Sequence, residues 1–117
     1  MGSTITIHKA KLSKGYGVKT FEAPEGSQLI SADFQDDRIS VWYIVNTEYT
    51  DMVKRTVEIV PTGAFFKSKI GRGADLQFLG TATMTEVNQK TGKFCEVVCH
   101  VFEVINEAED DLSVGKA

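Results

Sequence analysis

Alternation of apolar and polar side chains with a period of two residues is the feature that most constrains how this chain can fold. Successive side chains of a β-strand point to opposite faces of the sheet, so this period predicts strands rather than helices. Residues that favour turns separate the alternating segments. The predicted strands cover residues 4–11, 18–22, 28–34, 39–46, 54–60, 76–87 and 94–105.

The connections between these segments favour antiparallel pairing. Residues 35–38 (QDDR) predict a tight turn, because aspartate readily adopts turn conformations. Residues 88–93 (NQKTGK) join the two longest segments, and Gly92 tolerates a positive φ there. Helical candidates are limited to short turns within residues 47–52 and 64–70, and neither is long enough to be stable alone. We therefore predict a mainly β protein with a single antiparallel domain of about seven strands, sandwich or barrel-like, and at most one or two short helices.

Length and charge indicate one domain followed by an acidic tail. The chain has 117 residues, which is enough to bury a core, and we assign residues 1–105 to the domain. The tail, residues 106–117, contains Lys116 and four acids: Glu107, Glu109, Asp110 and Asp111. Of the 13 Lys+Arg and 16 Asp+Glu in the chain, twelve of each remain in the domain. A neutral domain argues against a duplex-DNA binder, whose interface would be basic.

No run of apolar residues approaches the roughly 18 residues of a membrane span, and no secretory signal opens the chain. From this we expect a cytoplasmic protein without a membrane partner.

Two of the predicted strands are apolar on both faces. In residues 39–46 and 94–105, both alternating sets of side chains are mainly apolar. A sheet with one face in water would carry polar residues in one of the two sets. The second face must therefore be covered by the chain itself or by another subunit. With so few helical residues to cover it, we favour a subunit and predict a homo-oligomer, a dimer or tetramer.

The residue types that catalysis or metal binding requires are sparse. Cys95 and Cys99 lie four residues apart, about 13 Å along a strand, which is too far for a disulfide. We expect both to be reduced core side chains and predict no metal site and no cofactor. No nucleophile elbow, phosphate loop or His-x-x-x-His pair is present. We therefore predict that the protein is not an enzyme, with no catalytic residues.

The 15 residues from 61 to 75 (PTGAFFKSKIGRGAD) are the strongest candidate for a binding site. Long connections in compact domains are often functional. Cations neutralise phosphates, aromatic rings stack on bases, and glycines let a backbone approach a ligand closely. The segment contains all three types: Gly63, Phe65, Phe66, Lys67, Lys69 and Arg72. The alternative is a solvated loop whose two phenylalanines are anchored in the core.

Five short motifs follow one another along the chain: Val41–Trp42, Arg55-x-x-x-Ile59, Thr62–Gly63, Leu79–Gly80–Thr81 and His100–Val101–Phe102–Glu103. In this order they resemble a group of short bacteriophage proteins, with a similarity that extends from about residue 5 to residue 104. The chain departs from that pattern in Phe65–Phe66, in a longer basic segment at residues 67–72, and in Val98, where an aromatic is expected.

Small β-rich phage proteins of this kind include viral sponges, which sequester the nucleotide second messengers of bacterial immunity, such as the cyclic oligonucleotides of CBASS defence. The resemblance implies a homo-oligomer in the host bacterial cytosol that binds the messenger without hydrolysing it. In this chain we predict the following ligand-binding residues: Trp42, Thr62, Gly63, Phe65, Phe66, Lys67, Lys69, Arg72 and His100. For His100, a core or interface position with satisfied ring nitrogens remains the alternative to a ligand contact.

Two other functional classes remain open. A structural or interaction protein, such as a phage accessory or virion component or an inhibitor of a host protein, would use the same loop to contact protein. A single-stranded nucleic-acid binder would use a sheet face, although the neutral domain weakens this interpretation.

Overall fold

Backbone hydrogen bonds join the alternating segments into two antiparallel sheets. A computed structural model describes residues 4–68 and 75–105. Within these residues there is no helix, and the seven strands end within two residues of their predicted limits. They are β1 (Ile5–Lys11), β2 (Gly17–Pro24), β3 (Gln28–Gln35), β4 (Arg38–Asn46), β5 (Met52–Pro61), β6 (Asp75–Val87) and β7 (Phe94–Ile105). The predicted mainly β fold is confirmed, whereas residues 47–51 and 62–68 form turns and irregular structure rather than short helices.

One sheet has three strands in the order β1-β4-β3, and the other has four in the order β2-β5-β7-β6. In the tight turn between β3 and β4, Asp36 and Asp37 have φ values of 53° and 72°. Positive φ at both central residues gives a hairpin turn the twist of its strands, and aspartate is one of the few residues that tolerates it. The turn predicted from QDDR therefore forms as expected.

The core lies between the two sheets and is formed by one of the two alternating sets on each strand. On β4 this set includes Val41 and Val45, and on β7 it includes Cys99 and Val101, all of them fully buried. Burial of one set from each strand is what period-two alternation predicts. The inner face of both doubly apolar strands is thus accounted for by sheet-on-sheet packing.

The two cysteines do not share an environment, which corrects the expectation that both are core residues. Cys99 is fully buried in the core, and burial raises the pKa of its thiol, with a further contribution from the Glu86 carboxylate. Cys95 is exposed, because it lies near the turn end of the β6–β7 hairpin opposite Glu86.

A close backbone contact joins the sheets along β3 and β6. The pairing of β6 with β7 shifts register between Phe78 and Gly80, which leaves Leu79 as an extra, buried residue. A Cβ atom on Gly80 would lie 2.6 Å from the carbonyl oxygen of Ala32 on β3. No Cβ tolerates that distance, so glycine is required for the two strands to approach.

An ion pair lies inside the sandwich. Glu103 is 4 % exposed and accepts hydrogen bonds from Arg55 Nε at 2.8 Å and Nη2 at 2.5 Å. Arg55 Nη1 donates to the carbonyl oxygen of Ser27 at 2.6 Å. A buried carboxylate requires such donors to offset its desolvation. Arg55 and Glu103, which both belong to the short sequence motifs described above, therefore stabilise the fold by linking β5, β7 and the β2–β3 connection.

The outer faces of the two sheets differ. Residues 62–68 lie across part of the outer face of the four-stranded sheet, whereas no described segment covers the outer face of the three-stranded sheet. Two earlier predictions lie outside the described residues: the acidic tail (106–117) and the second half of the 61–75 connection (69–74). Among the described residues, no helix is long and apolar enough to cross a membrane.

Candidate ligand site on the four-stranded sheet

The site begins where β5 ends and the chain turns back over its own sheet. The Thr62 amide donates to the carbonyl oxygen of Val98 on β7 at 3.0 Å, and the Ala64 amide donates to the carbonyl oxygen of Pro61 at 2.9 Å. Gly63, between them, has a φ of 90°, a value that glycine adopts at little cost. This turn directs residues 64–68 across the outer face of the sheet instead of away from it.

Glu58 fixes the other end of this segment. Its side chain is 1 % exposed, although it lies on the outer face of β5. The carboxylate accepts hydrogen bonds from the backbone amides of Lys67 at 2.5 Å and Ser68 at 3.0 Å, and also from the Ser68 hydroxyl. Burying a carboxylate without donors would be costly, so these three bonds both satisfy Glu58 and hold the segment on the sheet.

Aromatic contacts fill the space beneath the segment. The Phe66 ring lies edge-on to Phe102 of β7, with centroids 5.3 Å apart, and Phe102 contacts Phe78 of β6 at 5.4 Å. Phe65, the preceding residue, lines the other side of the turn and is 91 % exposed. The two adjacent phenylalanines therefore differ: Phe66 anchors the segment and Phe65 is available to a ligand.

His100 lies at the floor of the site between two threonines. Its Nε2 is 2.8 Å from Thr62 Oγ1, and its Nδ1 is 3.1 Å from Thr81 Oγ1. Thr62 Oγ1 is also 3.3 Å from the Val98 carbonyl, to which its hydroxyl donates. The Nε2–H then donates to Thr62 and the Thr81 hydroxyl donates to Nδ1, so both ring nitrogens have a hydrogen-bond partner. His100 thus matches the predicted alternative of a histidine with both ring nitrogens bonded.

These groups surround two adjoining depressions. The first, of about 360 Å³, is lined by Val60, Pro61, Thr62, Gly63, Ala64, Phe66, His100 and Phe102. The second, of about 350 Å³, is lined by Tyr16, Gly17, Glu58, Ile59, Pro61, Ala64, Phe65 and Lys67. Pro61 and Ala64 border both, so the two depressions lie on either side of the turn. Each falls within the volume range of small-molecule sites.

The structure brings together six of the nine residues predicted from the sequence. Thr62, Gly63, Phe66 and His100 line the first depression, and Phe65 and Lys67 line the second. Trp42 does not belong to this site, because it lies on the outer face of the other sheet. Lys69 and Arg72 lie outside the described residues.

Glu58, Thr81 and Phe102 also shape the site, although none of them was predicted as a site residue, and the first two left a signal in the sequence. Glu58 is a lone charge between Val57 and Ile59, in a strand that is otherwise apolar at that end. Thr81 pairs with His100 in the β6–β7 hairpin, a register that follows from its turn. The contact of Phe102 with Phe66 had no local signal in the sequence, because it depends on β5 lying beside β7.

The described residues contain no group of three or more His, Cys, Asp and Glu side chains arranged to hold a metal ion.

The fold and the site define a two-sheet antiparallel β protein with a depression beside the segment that covers one sheet. The chain belongs to the family described as domain of unknown function DUF7352, whose model matches residues 3–111. No curated protein and no solved structure gives a significant match.

Proposed function

We propose that this protein binds and sequesters a small anionic nucleotide, such as a cyclic dinucleotide, without converting it. The observation that supports this most directly is the pair of depressions beside the Thr62–Gly63 turn. They collect aromatic, hydroxyl and cationic groups from segments that are distant in sequence, in a volume suited to a small ligand.

Each group has a role in this proposal. Phe65 is 91 % exposed beside a cation, and an exposed ring offers a base about 1–3 kcal/mol of stacking energy. Lys67 lies at the edge of the second depression and pairs with a phosphate. Lys69 and Arg72 follow in the same connection and supply further positive charge. Gly63 has no side chain to obstruct the approach of the ligand.

His100 has a positioning role in this proposal. Both of its ring nitrogens lie within hydrogen-bond distance of threonine hydroxyls, so the imidazole holds the turn in place at the floor of the first depression. Under this proposal, a messenger of bacterial antiviral signalling is removed from solution by stoichiometric binding. A phage protein that evades CBASS-type immunity in the host cytosol would work in this way, as a homo-oligomer.

The test is a thermal-shift panel of cyclic dinucleotides, cyclic trinucleotides and ADP-ribose derivatives. A ligand at a hundred times its Kd adds about 2.7 kcal/mol to the free energy of unfolding. For a domain of this size the melting temperature then rises by roughly 10 °C. Mass spectrometry after heat release is expected to recover the ligand intact. No shift with any member contradicts the proposal, and conversion to a linear product replaces sequestration with catalysis.

Matched substitutions locate the ligand. Lys67→Ala and Phe65→Ala are each expected to weaken binding about tenfold to a hundredfold, the equivalent of 1.5–3 kcal/mol. The controls are Lys93→Ala and Phe94→Ala in the β6–β7 hairpin. Phe94 is 75 % exposed and lies about 20 Å along β7 from His100, so its loss should not affect binding. Equal effects of test and control variants would exclude these depressions as the site.

The second candidate function is a structural or interaction module. It is favoured by the exposed isoleucines on the outer face of the three-stranded sheet. An interaction module would show no thermal shift across the nucleotide panel and would lose its assembly when that face is altered.

A further inference from the structure

The outer face of the three-stranded sheet carries a continuous apolar surface, named here the apolar face. Ile7 is 57 % exposed, Ile5 54 % and Ile30 39 %, and Trp42 and Ile44 between them are half-buried. Depressions of about 390 Å³ and 460 Å³ lie along it, and both are bordered by Ile7. A surface of this kind on a small domain marks an interaction site.

Charge is distributed unevenly across the apolar face. Lys11 on β1 and Asp33 on β3 both pair with Ser40 on the central strand β4, from opposite sides. One row across the face therefore has a cation at one edge and an anion at the other. In the next row, Lys9 on the β1 side lies opposite Ser31 on the β3 side. The lysines thus all lie on the β1 side of the face.

We propose that the occupant of the apolar face is a second copy of this chain, packed face to face about a two-fold axis parallel to the strands. Such an axis exchanges left and right, so β1 of one copy lies over β3 of the other. Lys11 of each copy then meets Asp33 of the other, and the two contacts form together. This inference rests on the homo-oligomer in the proposed function and identifies the surface that forms it.

The same geometry places the apolar residues at the centre. Trp42 lies on the central strand, close to the axis, and meets Trp42 of the second copy. Ile7 on β1 lies over the β3 side of the second copy, where Ile30 is exposed. Tryptophan in the centre of an interface, surrounded by polar groups at its edge, is a common arrangement of binding hot spots.

The contacts that Lys11 makes within one copy leave it able to form the proposed ion pair with Asp33 of the second copy. Its Nζ is 3.7 Å from Asp36, and the two side chains are 45 % and 70 % exposed. An exposed pair at that distance contributes little and is easily exchanged for another. Lys9 instead donates to Gln35 of β3 at 2.7 Å, which ties the two outer strands of this sheet together across β4.

The first experiment is light scattering coupled to size exclusion across a concentration series. The parent is expected to reach twice its protomer mass of 12.9 kDa. Trp42→Lys and Ile7→Lys are expected to give monomers with unchanged circular dichroism, whereas Phe94→Lys, an exposed apolar control on the other sheet, stays dimeric. A monomeric parent at every concentration, or a dimer that both test variants retain, overturns the inference.

The second experiment tests the orientation. Lys11→Asp and Asp33→Lys each create two like-charge contacts per dimer and are expected to weaken self-association about tenfold. An equimolar mixture of the two variants restores both contacts, because each copy then offers the charge that the other lacks. Heterodimers that are no tighter than either homodimer overturn the face-to-face arrangement.

The outcome is separable from that of the proposed function. Ile7→Lys is remote from the depressions on the four-stranded sheet, so its nucleotide affinity can be measured on the monomer. Retained dimerisation with no ligand shift contradicts only the nucleotide proposal. If the full chain is monomeric and the chain without residues 106–117 is dimeric, the tail is the occupant of the apolar face. That result would overturn the inference that a second copy occupies it.

Discussion

Residues 62–68 lie across the outer face of the four-stranded sheet, whereas the outer face of the three-stranded sheet keeps its isoleucines exposed. Both faces belong to strands that are apolar on two sides. The difference lies in the connections that leave them. The β5–β6 connection spans residues 62–74 and is long enough to fold back, while the connections at the three-stranded sheet (residues 12–16, 25–27, 36–37 and 47–51) are two to five residues long. An apolar outer face thus predicts that a chain segment or another molecule covers it. The length of the adjacent connection decides whether the same chain supplies that segment.

The polar groups buried at the two faces show the same contrast. Glu58, beneath the covering segment, has three donors for its carboxylate. Ser40, on the central strand of the three-stranded sheet, is 0 % exposed, and its Oγ has no hydrogen-bond partner among the described residues. At the covered face the chain therefore supplies hydrogen-bond partners for the buried carboxylate, whereas at the other face the buried hydroxyl has none among the described residues.

The largest effect is expected from Glu58→Leu. This change removes the acceptor for two amides and a hydroxyl and releases the segment from the sheet, at a cost of about 2–4 kcal/mol in the free energy of unfolding. Urea unfolding measures the loss, and hydrogen exchange at the Lys67 and Ser68 amides should accelerate. The control is Glu22→Leu, an exposed position of the same sheet, with an expected change under about 0.5 kcal/mol. Similar losses for both variants would mean that Glu58 does not hold the segment.

The next effect distinguishes two adjacent phenylalanines. Phe66→Ala is expected to destabilise by about 1–2 kcal/mol, because it removes a half-buried ring and its contact with Phe102. Phe65→Ala should change stability by less than about 0.5 kcal/mol, since that ring is 91 % exposed. Thermal unfolding of the two variants provides the comparison, and a larger loss for Phe65 would contradict the covering role of the segment.

Smaller changes in the free energy of unfolding, opposite in sign to each other, are expected for substitutions of two buried serines. Ser27→Ala should cost about 1 kcal/mol, because Ser27 Oγ donates to the Pro24 carbonyl at 2.6 Å. Ser40→Ala should be neutral or stabilise by up to about 1 kcal/mol, because it removes a buried hydroxyl that lacks a partner. Denaturant midpoints at equal slope measure both. A loss at Ser40 as large as that at Ser27 would show that the hydroxyl is bonded.

The smallest change in folding is expected for Ile7→Thr. An exposed strand position tolerates threonine, so the free energy of unfolding of the dilute monomer should change by less than about 0.5 kcal/mol. Sedimentation at high concentration should nevertheless show weaker self-association. If both quantities remain unchanged, the exposed face has no role in assembly.

Much of the fold follows from local sequence. Period-two alternation located all seven strands, and the turn at residues 88–93 places Val87 opposite Phe94. Counting back along that hairpin pairs Thr81 with His100, because the register of two adjacent strands is fixed by their turn. Half of the contacts of His100 were therefore accessible from the sequence.

The other half depended on tertiary structure. Thr62 reaches His100 only because β5 lies beside β7, and strands far apart in sequence carry no local signal of their pairing. The same pairing placed Phe102 under Phe66 and separated Trp42 from the site by assigning β4 to the other sheet. Alternation determined that each strand has two faces, since side-chain direction is a property of the local backbone. Which face meets the core, a covering segment or solvent was decided by the packing of distant strands.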